Sequence, residues 1–151
     1  MSMGASELMS RVNVDGVVGD IPLDLCWEVL ESSALGRLAV VHDGKIHIFP
    51  INFAVDGNKI YFRTAAGSKV LAVKANDQVA LEVDAFDETS AYTVVVKGRA
   101  AVVESPEEVA TADALALSPW IPTLKLRWVR IWPSEVTGRA FRRGAEPEAY
   151  V

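Results

Sequence analysis

A chain of 151 residues that is half apolar and 23 % charged is long enough for one domain with its own core, and too apolar for a disordered segment. Its net charge of −5 and pI near 5.0 argue against a general nucleic-acid binder. A single cysteine, Cys26, excludes an internal disulfide and any zinc site built from several thiolates. No apolar run approaches the roughly 18 residues of a membrane-crossing helix, and no leader pattern is seen, so a reducing compartment, the cytoplasm, is expected.

Residues 1–20 carry Gly4, Gly16 and Gly19 without a sustained period and read as a flexible N-terminal arm. A helix is expected from Asp24 to Ser33, with Trp27, Leu30 and Ala34 on one face and a stop at Gly36. Gly36 to His42, Lys45 to Val55 and Asn58 to Thr64 read as strands. Two turns of one type, Asp43-Gly44 and Asp56-Gly57, join them into an antiparallel meander, because Asp-Gly tolerates positive φ. Val70 to Ala75 reads as a short helix. Gln78 to Phe86 alternates as a strand, with Val79, Leu81, Val83 and Ala85 on one side.

Ala91 to Val103 is a long strand that Gly98 interrupts, as at a bulge or barrel corner. Ser105-Pro106-Glu107-Glu108 reads as a capping box opening a helix that runs to about Leu117. Ser118 to Pro122 is a loop. Leu124 to Pro133 is a strand with Leu126, Trp128, Arg130 and Trp132 on one face, and a last strand segment covers Val136 to Arg142. The fold class is mainly β with peripheral helices: a small antiparallel barrel over 21–143, followed by a C-terminal tail, 144–151.

Hydrolase elbows, Walker loops and dinucleotide-binding glycine motifs are absent, so any redox chemistry is left to a cofactor. His42 and His47 lack a third ligand, and no metal site is expected. Cys26 reads as a buried structural thiol. The segment Arg63-Thr64-Ala65-Ala66-Gly67-Ser68-Lys69 joins a strand to a helix. It can offer a phosphate a guanidinium, an ammonium, a hydroxyl and backbone amides, or it can be an ordinary capped helix. Pro50 inside Phe49-Pro50-Ile51-Asn52-Phe53 requires a strand edge or a bulge. Its unpaired backbone groups either meet a heterocycle or lie at an edge guarded against aggregation. Trp128, Arg130 and Trp132 read as core or interface before cofactor wall.

Taken in order, Leu35-Gly36-Arg37-Leu38-Ala39, Phe49 to Phe53, Ile60-Tyr61-Phe62-Arg63-Thr64 with Gly67-Ser68-Lys69, Val79 to Asp84, Lys97-Gly98-Arg99-Ala100, and Trp128 to Pro133 with Thr137-Gly138-Arg139 carry a resemblance. The set, over about residues 23–142, resembles the pyridoxamine 5′-phosphate oxidase-like family of FMN-binding split barrels. It is most similar to the short actinobacterial-type members, some of them similar to nitroimidazole-resistance proteins.

The resemblance implies a six-stranded antiparallel split β-barrel that forms a homodimer with two FMN sites at its interface. It implies that Pro50, Ile51, Asn52 and Phe53 lie along the isoalloxazine. Arg63, Thr64, Ser68 and Lys69 would hold the phosphate, Arg139 would approach from the partner chain, and Arg37 would fix the first helix to the barrel. The longer Arg-x-His element of true pyridoxamine phosphate oxidases is missing, which points away from vitamin B6 oxidation.

The implied activity is an FMN-dependent oxidoreductase acting on a small electron-poor substrate of nitro or quinone type. One alternative is a deazaflavin-dependent reductase whose longer anionic cofactor lies along Lys125, Arg127, Arg130, Arg139, Arg142 and Arg143. The other is a non-catalytic flavin- or haem-binding protein. No residue is assigned as a catalytic acid, base or nucleophile.

Overall fold

Six antiparallel strands close into a ring whose inward side chains form the core, with Tyr61 and Trp128 also buried on its outer face. The structure, a computed structural model, describes residues 2–65, 67–115, 117 and 127–145, except the side chains of Ser68 and Leu71. Its elements in chain order are α1 (Ala5–Arg11), β1 (Val18–Asp20), α2 (Leu23–Ser32), β2 (Leu35–His42), β3 (Lys45–Asp56), β4 (Lys59–Thr64), α3 (Ser68–Ala75), β5 (Gln78–Phe86), β6 (Ser90–Val102), α4 (Pro106–Asp113) and β7 (Arg127–Arg142). All strand pairs are antiparallel. The sheet order β7-β4-β3-β2-β5-β6 returns to β7, and β1 adds to the far end of β7. Leu38, Phe53, Phe62, Leu81, Val94, Val129 and Ile131 point into the ring and form its core. The expected mainly-β split barrel is the fold observed.

The meander forms as expected, but its two turns differ. Asp43 and Gly44 both have positive φ (52° and 70°), the I′ pattern. In the second turn Gly57-Asn58 occupy the corner and only Gly57 is positive (62°), the II′ pattern. Gly98 marks a register shift against β7, and a Cβ there would collide with the Trp132 carbonyl. Ser134 occupies the extra position, and its hydroxyl donates to the Lys97 carbonyl (3.1 Å). This bulge lets one strand, β7, run through the two segments expected at 124–133 and 136–142. The loop expected at 118–122, the strand start at 124–126 and tail residues 146–151 lie outside the described residues.

Four expectations are corrected. Residues 1–20 are not a loose arm throughout: Ala5, Leu8 and Val12 bury one stripe of α1 and its C-cap, and Leu8 is fully buried. The Tyr92 hydroxyl donates to the Met3 carbonyl (2.6 Å), and the Ser6 amide donates to Asp87 (2.9 Å). Seven residues are too short a helix for its period to stand out. Second, α2 buries Leu25, Cys26, Val29 and Leu30, while Trp27 is half-buried and Ala34 is outside the helix. Third, Gly36 does not stop α2, which ends at Ser32. It lies within β2, where a Cβ would press on Leu81 and Phe53. Fourth, α4 ends at Asp113, not near Leu117.

Candidate functional site at the barrel split

The ring is open on one side of β3. β3 pairs with β2 over Leu35↔Asn52 to His42↔Lys45, but with β4 only from Phe53↔Phe62 to Asp56↔Lys59. Counting the antiparallel alternation from the closing pair His42↔Lys45, the backbone groups of Ile46, Ile48 and Pro50 point away from β2. No strand among the described residues meets the outer edge of this half of β3. Pro50 therefore sits where its missing amide breaks no ladder bond, the edge solution of the two expected. No register shift interrupts β2 against β3 there.

Across the split stand the end of β4 and the start of α3. Arg63 and Thr64 are the last residues of β4, and α3 begins at Ser68, so the segment singled out in the sequence faces the Pro50 edge. The Lys69 ammonium closes the corner, 4.8 Å from the centre of the Phe49 ring. Gly67 is extended (φ 164°) and needs no left-handed freedom. Among the described residues beyond its chain neighbours, a Cβ there would meet no atom within 4 Å. Thr64 is buried and its hydroxyl donates to the Ala65 carbonyl (3.3 Å). Ile51 and Phe53 point into the core, so their side chains are committed to packing and only their backbone remains for a ligand. Asn52 points outward and donates to the Ala34 carbonyl (2.9 Å).

Arg63 has an unusual setting. Its guanidinium stacks over Trp128 at 5.2 Å, and its Nε is buried with no hydrogen-bond partner among the described residues. A buried donor left unsatisfied costs about 1–3 kcal/mol, which makes Arg63 a candidate anion ligand. The Trp128 indole N–H donates to Asp113 of α4 (2.7 Å). Beside it Glu108 accepts from Tyr61 (2.8 Å) and from Arg130 (2.5 and 2.7 Å). Burial raises the Glu108 carboxyl, but these donors outweigh it and hold it below the ordinary range. Burial first, then Glu108, pushes the Tyr61 hydroxyl up to about 12, so it stays a donor. Ser105 caps α4 as expected (Glu108 amide, 3.4 Å), but the Glu108 side chain turns to Tyr61 and Arg130, leaving half a capping box. Asp113 was not singled out by sequence reasoning, Glu108 was read only as part of the capping box, and Tyr61 only as part of a strand. The outward alternation of Tyr61, Trp128 and Arg130 is the signal that places all three under α4.

Other expected residues lie apart. Arg139 pairs in register with Asp20 and Thr93, eleven residues along β7 from Trp128, up to about 36 Å of strand. Arg37 does not reach the first helix. It bridges Glu82 (3.2 Å) and Asp84 (3.1 Å) on β5, and burial together with Asp84 pushes the Glu82 carboxyl up. The basic residues of the last quarter do not form one groove. Arg130 serves Glu108, Arg142 serves the carbonyls of Gly16 and Val14, and Arg143 serves that of Asp87, while Lys125 is outside the described residues. His42 and His47 lie 6.4 Å apart, His47 stacked on Phe49, and no cluster of three metal-ligating side chains occurs among the described residues. Cys26 is buried against the Ile21 carbonyl, and burial pushes its thiol up to about 11, as a structural thiol requires. Trp128 is buried beneath α4, whereas Trp132 is half exposed with Lys59 over its ring.

The pattern of the pyridoxamine 5′-phosphate oxidase family matches residues 23–140, and the chain belongs to that family. A Corynebacterium glutamicum structure assigned to the pyridoxamine 5′-phosphate oxidases is 41 % identical, covers 88 % of this chain and all of its own, and superposes with a TM-score of 0.75. An FAD binding protein from Mycobacterium smegmatis is 39 % identical over 83 % of this chain and all of its own, with a TM-score of 0.72. An uncharacterized Mycobacterium tuberculosis protein is 42 % identical over 94 residues, 62 % of this chain and 86 % of its own length.

Proposed function

We propose that the chain is a flavin-dependent oxidoreductase that holds FMN at the barrel split, works as a homodimer, and reduces a small, flat, electron-poor substrate of nitro or quinone type. The observation that carries this reading is Arg63, stacked on Trp128 with its Nε unpartnered among the described residues, at the end of the strand that leads to Lys69 and α3. Arg63, Thr64, Lys69 and the first amides of α3, with Ser68, would hold the phosphate. The edge of β3 from Pro50 to Phe53 would run along the ring system and offer backbone groups to its polar side. Arg139 would reach the ring only from the partner subunit. When bound, the flavin supplies reversible acceptance and release of a hydride or electrons. The chain's own part is to bind two negative charges, orient a planar ring against a strand edge and keep water from one face.

Purified without additives and after FMN loading and gel filtration, the protein is expected to retain flavin absorbance. Arg63→Ala and Lys69→Ala should each weaken FMN binding by about 1.5–3 kcal/mol while the far-ultraviolet spectrum stays unchanged. Normal FMN affinity in both variants would remove the site. Turnover is checked by following flavin reoxidation on addition of a quinone or nitroarene after reduction. FAD is a second reading, favoured by the Mycobacterium smegmatis relative's being an FAD binding protein. Chromatography of the cofactor released on denaturation separates the two.

A further inference from the structure

We propose that Asp113 is a positioning residue for the flavin phosphate, acting through Trp128 on Arg63. The inference rests on the phosphate site proposed above and goes one step behind it. A carboxylate in the last turn of a helix opposes the helix dipole, and Asp113 is the final residue of α4. It is spent on one short bond, from the Trp128 indole N–H at 2.7 Å. Trp128 is buried and paired in register with Arg63, so its indole has two fixed points, the backbone ladder and Asp113. The Arg63 guanidinium lies on that indole at 5.2 Å. No carboxylate pairs with Arg63 among the described residues, and its Nε has no acceptor.

The guanidinium is thus oriented by an aromatic face instead of an ion pair, and its charge is left for an anion. A direct Arg–carboxylate pair would hold the side chain as firmly but neutralise it. Asp113 fixes it at one remove, with the indole between the carboxylate and the guanidinium.

The test measures FMN and riboflavin affinity by fluorescence quenching, since only FMN carries the phosphate. Arg63→Ala should lose about ten- to a hundredfold for FMN and leave riboflavin unchanged. Asp113→Ala should lose about three- to tenfold for FMN alone, and nothing further in the Arg63→Ala background. Asp113→Asn, whose amide oxygen still accepts the indole N–H, should restore FMN affinity. Were Asp113 acting by its charge, Asn and Ala would behave alike. Trp128→Phe keeps an aromatic face for Arg63, removes the N–H donor along with the pyrrole ring, and should lose FMN affinity at least as much as Asp113→Ala, again with riboflavin unchanged.

Equal losses for FMN and riboflavin, additive losses with Arg63→Ala, or unchanged binding in Asp113→Ala and Trp128→Phe would overturn the proposal and leave the phosphate site standing. Absence of a phosphate-selective loss in Arg63→Ala itself would overturn both.

Discussion

Glu108 shows how a single side chain can have two sequence meanings. Three residues after Ser105 it reads as the return arm of a capping box, yet its carboxylate accepts from Tyr61 and Arg130 instead. A charged guanidinium on β7 and a phenol on β4 outcompete one exposed backbone amide. Because its carboxyl is held below the ordinary range, its contribution to stability is complete above the unfolded value of about 4.3 and is lost as pH falls through the folded value. Glu108→Gln should therefore be less stable than the wild type by about 1.5–3 kcal/mol near pH 7, with the gap narrowing below about pH 4. Urea denaturation at the two pH values checks this. A gap constant with pH would mean the carboxylate's charge is irrelevant. Gly98 is the opposite case, legible because its lack of a side chain is its role. Gly98→Ala drives a methyl into the β7 backbone and should cost about 1–3 kcal/mol or more in the same assay.

At the level of elements, what the sequence shows depends on length and on whether a partner is local. β5 is expected and observed as Gln78–Phe86 because nine residues alternate cleanly and its neighbour β6 follows in sequence. The two hairpins of the meander are equally local. α1 is different: seven residues with Ala5, Leu8 and Val12 as its stripe cannot announce themselves, and the surface they cover is supplied by β5 and β6, more than seventy residues away. Leu8→Ala should therefore cost about 2–5 kcal/mol, the range of a core leucine and not of a residue in a loose arm. A loss under about 0.5 kcal/mol by denaturant titration would restore the view of residues 1–20 as dispensable. The site divides along the same line. In the proposed site, Arg63, Lys69 and Pro50 draw notice in the sequence because each stands beside a local signal, a strand-to-helix turn or a proline in a strand. Asp113 was not, since its link to Trp128 spans a segment with no pattern.

For the whole molecule, the open half of β3 sets the largest question. An edge strand with outward Ile46 and Ile48, 74 % and 67 % exposed, is an aggregation hazard unless something covers it. Pro50 blunts the edge but lies beyond both isoleucines. Continuing outward from Ile48, the strand face carries Ala39 and then Ala80, small residues that leave a shallow apolar groove beside Lys97. The homodimer proposed above would cover this surface with a second copy, and would also bring Arg139 of the partner subunit toward a split that this chain's own Arg139 does not adjoin.

Ile48→Lys places a charge on that face without touching the core, because Ile48 packs outside the ring. Light scattering after gel filtration should give twice the chain's 16.4 kDa for the wild type and the single-chain mass for Ile48→Lys. The variant should retain its far-ultraviolet spectrum and lose FMN together with its partner. If the variant stays dimeric and keeps FMN, the interface lies elsewhere on the barrel. If it becomes monomeric yet binds FMN unchanged, one chain suffices for the site and Arg139 has no part in it.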